Sequence, residues 1–146
     1  MTTLVDTSGL LAVLDSDDAG HARAARAWAD LLRADEQLVT SSSILVEVYA
    51  LTQRRLGMEA VRVLATDFEP LLDVVWVDAE VHAAALGAFL AAGQRALSLV
   101  DCTSFEVMRR SGIRRAFTLD ADFARQGFEV VPRSRGASAS ERPGTA

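Results

Sequence analysis

The sequence predicts an α/β fold: a three-layer α/β/α sandwich around a central parallel sheet of four to five short strands. Two observations carry that expectation. Short, β-branched apolar runs alternate with longer stretches of helical periodicity along the chain. Acidic residues stand where several of those runs end, and open parallel sheets bind ligands just beyond the carboxyl ends of their strands.

Residues 4–6 form the first strand, a brief apolar run closed by Asp6 and the turn-prone Thr7, Ser8 and Gly9. Residues 8–14 read as a short helix, and 20–34, rich in Ala and Arg with Trp28 on one face, as a longer one. A second strand at 38–40 leads into helices at 42–55 and 58–68, broken at Gly57. The third strand, 74–77, is β-branched, and Asp78 caps a helix running to about residue 92. A helix at 98–111, a strand at 116–119 and a last strand near 129–131, stopped by Pro132, complete a domain spanning 1–132. From 133 to 146 the chain lacks large apolar residues, which predicts a disordered tail.

With 146 residues, half of them hydrophobic, one domain can bury roughly two-thirds of its unfolded surface. The longest apolar-rich stretch, 81–92, is shorter than the roughly 20 residues a bilayer span requires. No basic segment followed by a long apolar run opens the chain, so a cytoplasmic protein without membrane association is expected. The lone cysteine, Cys102, reads as a small core residue. His21 and His82 lie far from it and from each other, without zinc-type spacing. The chain has no lysine, which excludes a Walker A loop and the charge-neutralising lysine of receiver domains and haloacid-dehalogenase-like phosphatases. No Gly-x-Gly-x-x-Gly follows the first strand, and Ser8 lacks the flanking glycines of a hydrolase elbow.

Four acids remain to be explained: Asp6, Glu47, Asp101 and Asp120. Ionised side chains in apolar surroundings are rare unless paired or bound to metal, and separated carboxylates that converge in a fold make an oxygen-rich site for a hard divalent cation. Each aspartate also has a structural reading. Asp6 and Asp120 can cap the helices that follow them, and Asp101, three residues after Ser98, approximates a capping box. Glu47 resists such treatment. It lies inside its helix, with Ile44, Ala50 and Leu51 among its neighbours three and four positions away, and is expected to face the core side.

Val5-Asp6-Thr7-Ser8, Leu45-Val46-Glu47-Val48, Leu99-Val100-Asp101 and Thr118-x-Asp120-x-Asp122-Phe123 together resemble, in this order, the motifs of PIN domains. Within that family the size and order of elements are most similar to the VapC toxins of bacterial toxin–antitoxin modules. The resemblance covers nearly everything from Leu4 to Pro132. It implies an endoribonuclease using Mg²⁺ or Mn²⁺, with Asp6, Glu47, Asp101 and Asp120 as metal-binding and catalytic acids. Thr7 and Ser8 then look like supporting hydroxyls that orient a carboxylate or a water. Asp122 either completes the acidic cluster or caps the following turn; an inward Phe123 favours the second and aims its carboxylate outward. The resemblance further implies a homodimer and a VapB-like antitoxin laying an apolar helix over the 20–68 helical region.

Other classes stay open on the sequence: a PIN-like binding module that no longer cuts, which the intact acidic set disfavours, and a metal-dependent DNA nuclease or phosphatase. A formal net charge of −5 matches nucleic acid poorly. Setting aside the four proposed ligands leaves 15 basic against 16 acidic residues, since the chain has 20 acids in all. Arg54, Arg55, Arg95, Arg109, Arg110, Arg114 and Arg115 could gather near the site, although most fit solvated helix faces. Arg95, just before the Asp101 helix, is the expected RNA phosphate contact.

Overall fold

The computed structural model describes residues 1–133, so the predicted tail, apart from Arg133, lies outside the described residues. Five strands form one all-parallel sheet in the order β3-β2-β1-β4-β5. They are β1 (Thr2–Val5), β2 (Gln37–Ser41), β3 (Asp73–Val75), β4 (Arg115–Phe117) and β5 (Glu129–Val131). The helices are α1 (Thr7–Leu14), α2 (His21–Arg33), α3 (Ser42–Leu56), α4 (Met58–Val63), α5 (Ala79–Ala92), α6 (Leu99–Ser111) and α7 (Ala121–Arg125). The helix expected over 58–68 is α4 followed by a π turn (Leu64–Phe68) and a 3₁₀ turn (Glu69–Leu71). Pro70 accounts for its end, because proline lacks the N–H needed to continue the α ladder.

Strand alternation builds the three layers. Adjacent side chains on a strand point to opposite faces, and the core divides accordingly. Val5, Leu38 and Phe117 join Leu10, Trp28, Leu31, Leu45 and Val48 on one side of the sheet. Leu4, Val39 and Ala116 join Phe105, Met108 and Phe123 on the other. Cys102 is buried in this second cluster, as expected of a packing residue. No helix among the described residues is long and apolar enough to cross a membrane.

Strand ends differ from expectation by one to two residues, because the ladder rather than local hydrophobicity sets them. Leu4 pairs with Ala116 and Val5 with Phe117. Past that register Asp6 N–H donates to Phe117 O at 3.0 Å and Thr118 N–H to Val131 O at 3.0 Å. Asp6 and Thr118 are therefore fixed side by side where β1 and β4 end.

Gly9 makes this junction possible. A Cβ there would lie 2.6 Å from Phe117 Cδ1 and 2.9 Å from Phe117 O, so α1 can rest on β4 only without a side chain at this position. Gly9→Ala is expected to cost about 1–3 kcal/mol of unfolding free energy through overpacking, measurable by urea denaturation, despite alanine's better helix propensity.

Candidate active site

The sheet reverses direction at β1: the chain steps outward through β2 and β3 and then returns to the other side of β1 as β4. In open α/β sheets such a reversal leaves a crevice beyond the carboxyl ends of the strands. Here it is an open cleft of about 310 Å³ into which Asp6, Glu47, Asp101 and Asp120 all project a lining surface. Thr7 and Ser8 line the same cleft.

Asp6 precedes α1 but makes no helix-capping hydrogen bond with its side chain. Two hydroxyls converge on one of its oxygens instead: Ser8 Oγ donates to Asp6 Oδ2 at 2.9 Å and Thr118 Oγ1 at 2.8 Å. Both also accept from the segment after β4, Ser8 Oγ from Leu119 N–H at 2.9 Å and Thr118 Oγ1 from Asp120 N–H at 3.0 Å. This network locks the Asp6 side chain to the loop that carries Asp120. Burial pushes the Asp6 carboxyl up from 3.8 to about 6; the hydrogen bonds from Thr118 and Ser8 hold it down in part, and the Asp101 charge adds to the rise.

Asp101 does two things at once. With Ser98 it forms the full capping box of α6, Asp101 N–H donating to Ser98 Oγ at 3.0 Å and Ser98 N–H to Asp101 Oδ2 at 3.0 Å. Its carboxyl is nevertheless raised, first by burial and then by the charges of Asp120 and Glu47, against the lowering effect of Ser98. A residue serving only as a cap would not share its field with three other acids. Asp120 caps α7 by accepting from Asp122 N–H at 2.9 Å, so its structural and cleft-lining readings are both realised.

Two acids stand differently from expectation. Glu47 does not face the core: α3 buries Ile44, Leu45, Val48 and Thr52, while Glu47 is half-buried on the cleft side. Asp122 is not aimed outward. One of its carboxylate oxygens lies within 4.8 Å of oxygens of Asp101 and Asp120, the tightest acidic triad among the described residues. Its other neighbour is the exposed Arg125, at 2.8 Å.

The arginines sort themselves by tertiary structure. Arg95 is exposed and does not line the cleft. Arg109 and Arg110 follow Asp101 by more than two turns, roughly 12 Å along α6, and are engaged by Gln126 and by Glu106 and Glu80 respectively. Arg115 is committed to Glu36 at 2.5 Å. Arg55 alone of the seven lines the cleft. Sequence reasoning also missed Asp18, a fifth acid in the lining, whose Oδ1 accepts from Gly20 N–H at 2.7 Å. For Arg55 the signal was present, since Glu47, Leu51 and Arg55 stand at i, i+4 and i+8 of one helix; Asp18, in a loop, had none.

The donor set is carboxylate oxygen throughout, the chemistry that suits a hard divalent cation. Thr7, also in the lining, carries a buried hydroxyl with no hydrogen-bond partner among the described residues.

A family model described as PIN domain matches residues 3–129. The 23S rRNA-specific endonuclease VapC20 of Mycobacterium tuberculosis is 37% identical over 130 residues, covering 88% of this chain and 97% of the relative. The crystal structure of VapC20, described as a sarcin–ricin loop cleaving toxin, superposes with a TM-score of 0.76 at 33% identity, covering 87% of this chain and 96% of that one. Two further structures share the fold: FitAcB of Neisseria gonorrhoeae, TM-score 0.64 at 17% identity over 88% of this chain and 96% of the other, and VapBC2 of Rickettsia felis, bound to a fragment of promoter DNA, TM-score 0.65 at 13% identity over 89% and 97%.

Proposed function

This chain belongs to the PIN-domain family, and we propose that it is a metal-dependent endoribonuclease, the toxin of a VapBC-type toxin–antitoxin pair. The observation that carries this reading is the convergence of Asp6, Glu47, Asp101 and Asp120, with Asp122 adjoining, on one open cleft at the switch point of the sheet. Asp101, Asp120 and Asp122 are the residues to hold the ion, with Asp6 and Glu47 completing the acidic lining; Mg²⁺ is the expected occupant and Mn²⁺ its substitute. When bound, such a cation supplies a nucleophilic water at neutral pH and counter-charge for the phosphate.

The protein's own groups prepare that site. Ser8 and Thr118 fix the Asp6 rotamer by occupying Oδ2, and the capping box fixes Asp101. Rigid support of this kind matters because charged ligands that wander lose both affinity and alignment. The Thr7 hydroxyl, next in sequence to Asp6, is buried without a hydrogen-bond partner among the described residues. Thr118→Val keeps the shape while deleting the donor to Asp6 and the acceptor of Asp120 N–H. It should lower metal affinity or cleavage about 10–100-fold, read by calorimetric titration and by RNA cleavage on the same preparation.

The similarity to VapC20 supports 23S rRNA as substrate and the sarcin–ricin loop as the first segment to test. A cognate antitoxin is the expected partner. It would cover apolar side chains of the 20–68 helical region, where Leu32, Met58 and Val63 are exposed. A second copy of the chain is expected at α5, which apart from Glu80 and His82 is apolar yet buries only Ala85. Leu90 on this helix is 67% exposed, and Val46, which lines one groove with Ala79 and His82, is 72% exposed.

Incubating ribosomes with the pure protein and mapping 23S rRNA by primer extension tests the substrate. A single Mg²⁺-dependent stop inside the sarcin–ricin loop is the expected result; intact 23S rRNA beside cleavage of another RNA would reassign the target.

A further inference from the structure

Arg55 stands apart from everything else in the cleft. Asp6, Asp18, Glu47, Asp101 and Asp120 contribute negative charge to the lining, and among the described residues Arg55 contributes the one positive charge in it. It makes no hydrogen bond or ion pair among the described residues, whereas Arg33, Arg109, Arg110, Arg115 and Arg125 are all engaged by carboxylate or amide oxygens. An arginine beside five acids that pairs with none of them leaves its guanidinium donors available to an incoming anion.

Its position is set by α3. Glu47, Leu51 and Arg55 occupy one stripe of the helix, so Arg55 is displaced from Glu47 by eight residues, roughly 12 Å along the axis. The cleft thus combines carboxylates, of which Asp101 and Asp120 cluster with Asp122, the apolar Leu11, Leu51 and Leu119, and Arg55, two turns beyond Glu47 on α3. A cation held at the acidic cluster would receive the scissile phosphate. A guanidinium offset from that cluster along α3 is placed to serve another phosphate on the same strand.

Resting on the nuclease reading above, we propose that Arg55 is a substrate-binding residue that clamps a phosphate flanking the scissile one, and so sets how the RNA strand lies along α3. Guanidinium suits this task because its fork of donors matches phosphate oxygens and stays charged at any working pH. The clamp contributes equally in ground and transition states, so its loss belongs in KM rather than kcat.

The test compares wild type, Arg55→Ala and Arg55→Lys in steady-state cleavage of a sarcin–ricin loop oligoribonucleotide with Mg²⁺. Equilibrium binding of the same oligonucleotide is followed across a salt series, with Asp6→Asn placed beneath each form to block cutting. Arg55 is exposed at the end of its helix, and circular dichroism confirms that each variant is folded. The expected result is a rise of about tenfold in KM and Kd for Arg55→Ala, from one lost charge-assisted contact. The slope of log K against log salt should shrink by about 0.7, one phosphate contact to a single strand. The kcat should hold and Arg55→Lys should recover part of the affinity. Unchanged Kd and salt slope, with wild type cutting normally, would overturn the clamp and leave the nuclease standing. A fall in kcat at constant KM would overturn it too, by placing Arg55 at the reacting phosphate. Wild type that neither cuts nor binds RNA would sink both readings together.

Discussion

Asp101→Asn is expected to lower RNA cleavage by roughly a thousandfold, while leaving the fold intact. The substitution separates charge from structure. An asparagine oxygen can still accept from Ser98 N–H, so the capping box that starts α6 survives and stability should change by less than about 1 kcal/mol. What disappears is the negative charge at the centre of the acidic cleft, the one that interacts with Asp6, Asp120 and Glu47 alike. If that charge holds a cation, its removal forfeits several kcal/mol of transition-state stabilisation, each ~1.4 kcal/mol of which is tenfold in rate. A purely structural Asp101 predicts instead that the variant cuts as well as wild type. Cleavage time courses and thermal melts on one preparation distinguish the two outcomes.

The second large effect concerns stability. The folded Asp6 carboxyl lies near 6 against 3.8 for the free group. A folded pKa above the unfolded one means that the native state binds the proton more tightly. The stability it contributes is therefore present below about 4, declines as pH rises and is gone above about 6. Full loss corresponds to about 3 kcal/mol. The metal-free protein should accordingly melt higher near pH 5 than at pH 7.5 so far as Asp6 decides the matter, and Asp101, shifted the same way, adds to the trend. Asp6→Asn should flatten this dependence and stabilise the metal-free protein at pH 7.5 by up to about 3 kcal/mol. Mg²⁺ should act in the opposite sense on wild type, raising stability at pH 7.5 by about 2.7 kcal/mol at a hundred times its Kd. That gain should fade below pH 6 as protons compete for the carboxylates, and be much reduced in Asp6→Asn. Differential scanning calorimetry at pH 5 and 7.5, with and without Mg²⁺, reads all of these terms. A melting temperature that climbs steadily with pH in the absence of metal would contradict the account.

The four principal acids were legible because each breaks an apolar context, and a parallel sheet with helices on both faces follows from the alternation of runs. What the sequence left hidden is what only tertiary structure decides. Asp122 was judged from Phe123, but α7 begins at Ala121 directly after Asp120, so its first turn carries the Asp122 carboxylate to within 4.8 Å of Asp101 and Asp120. Glu47 was placed toward the core because its neighbours are aliphatic; α3 instead turns that position toward the cleft. The arginine cluster near Asp101 was close in sequence and remote in space, since an α6 that starts at the cleft carries its last turn away from it. Thr118 entered only as part of a motif, and its bonds to Asp6 and Asp120 depend on the β1–β4 register, which no local pattern specifies.

The central claim is that the acidic cleft cuts RNA through a bound cation. The measurement that tests it most directly is cleavage of a panel of structured and unstructured RNAs by pure, antitoxin-free protein with Mg²⁺, Mn²⁺ or EDTA, beside Asp6→Ala. Cutting with either cation, abolished by EDTA and by the substitution, is the predicted result; cutting that persists in EDTA or in folded Asp6→Ala would contradict it.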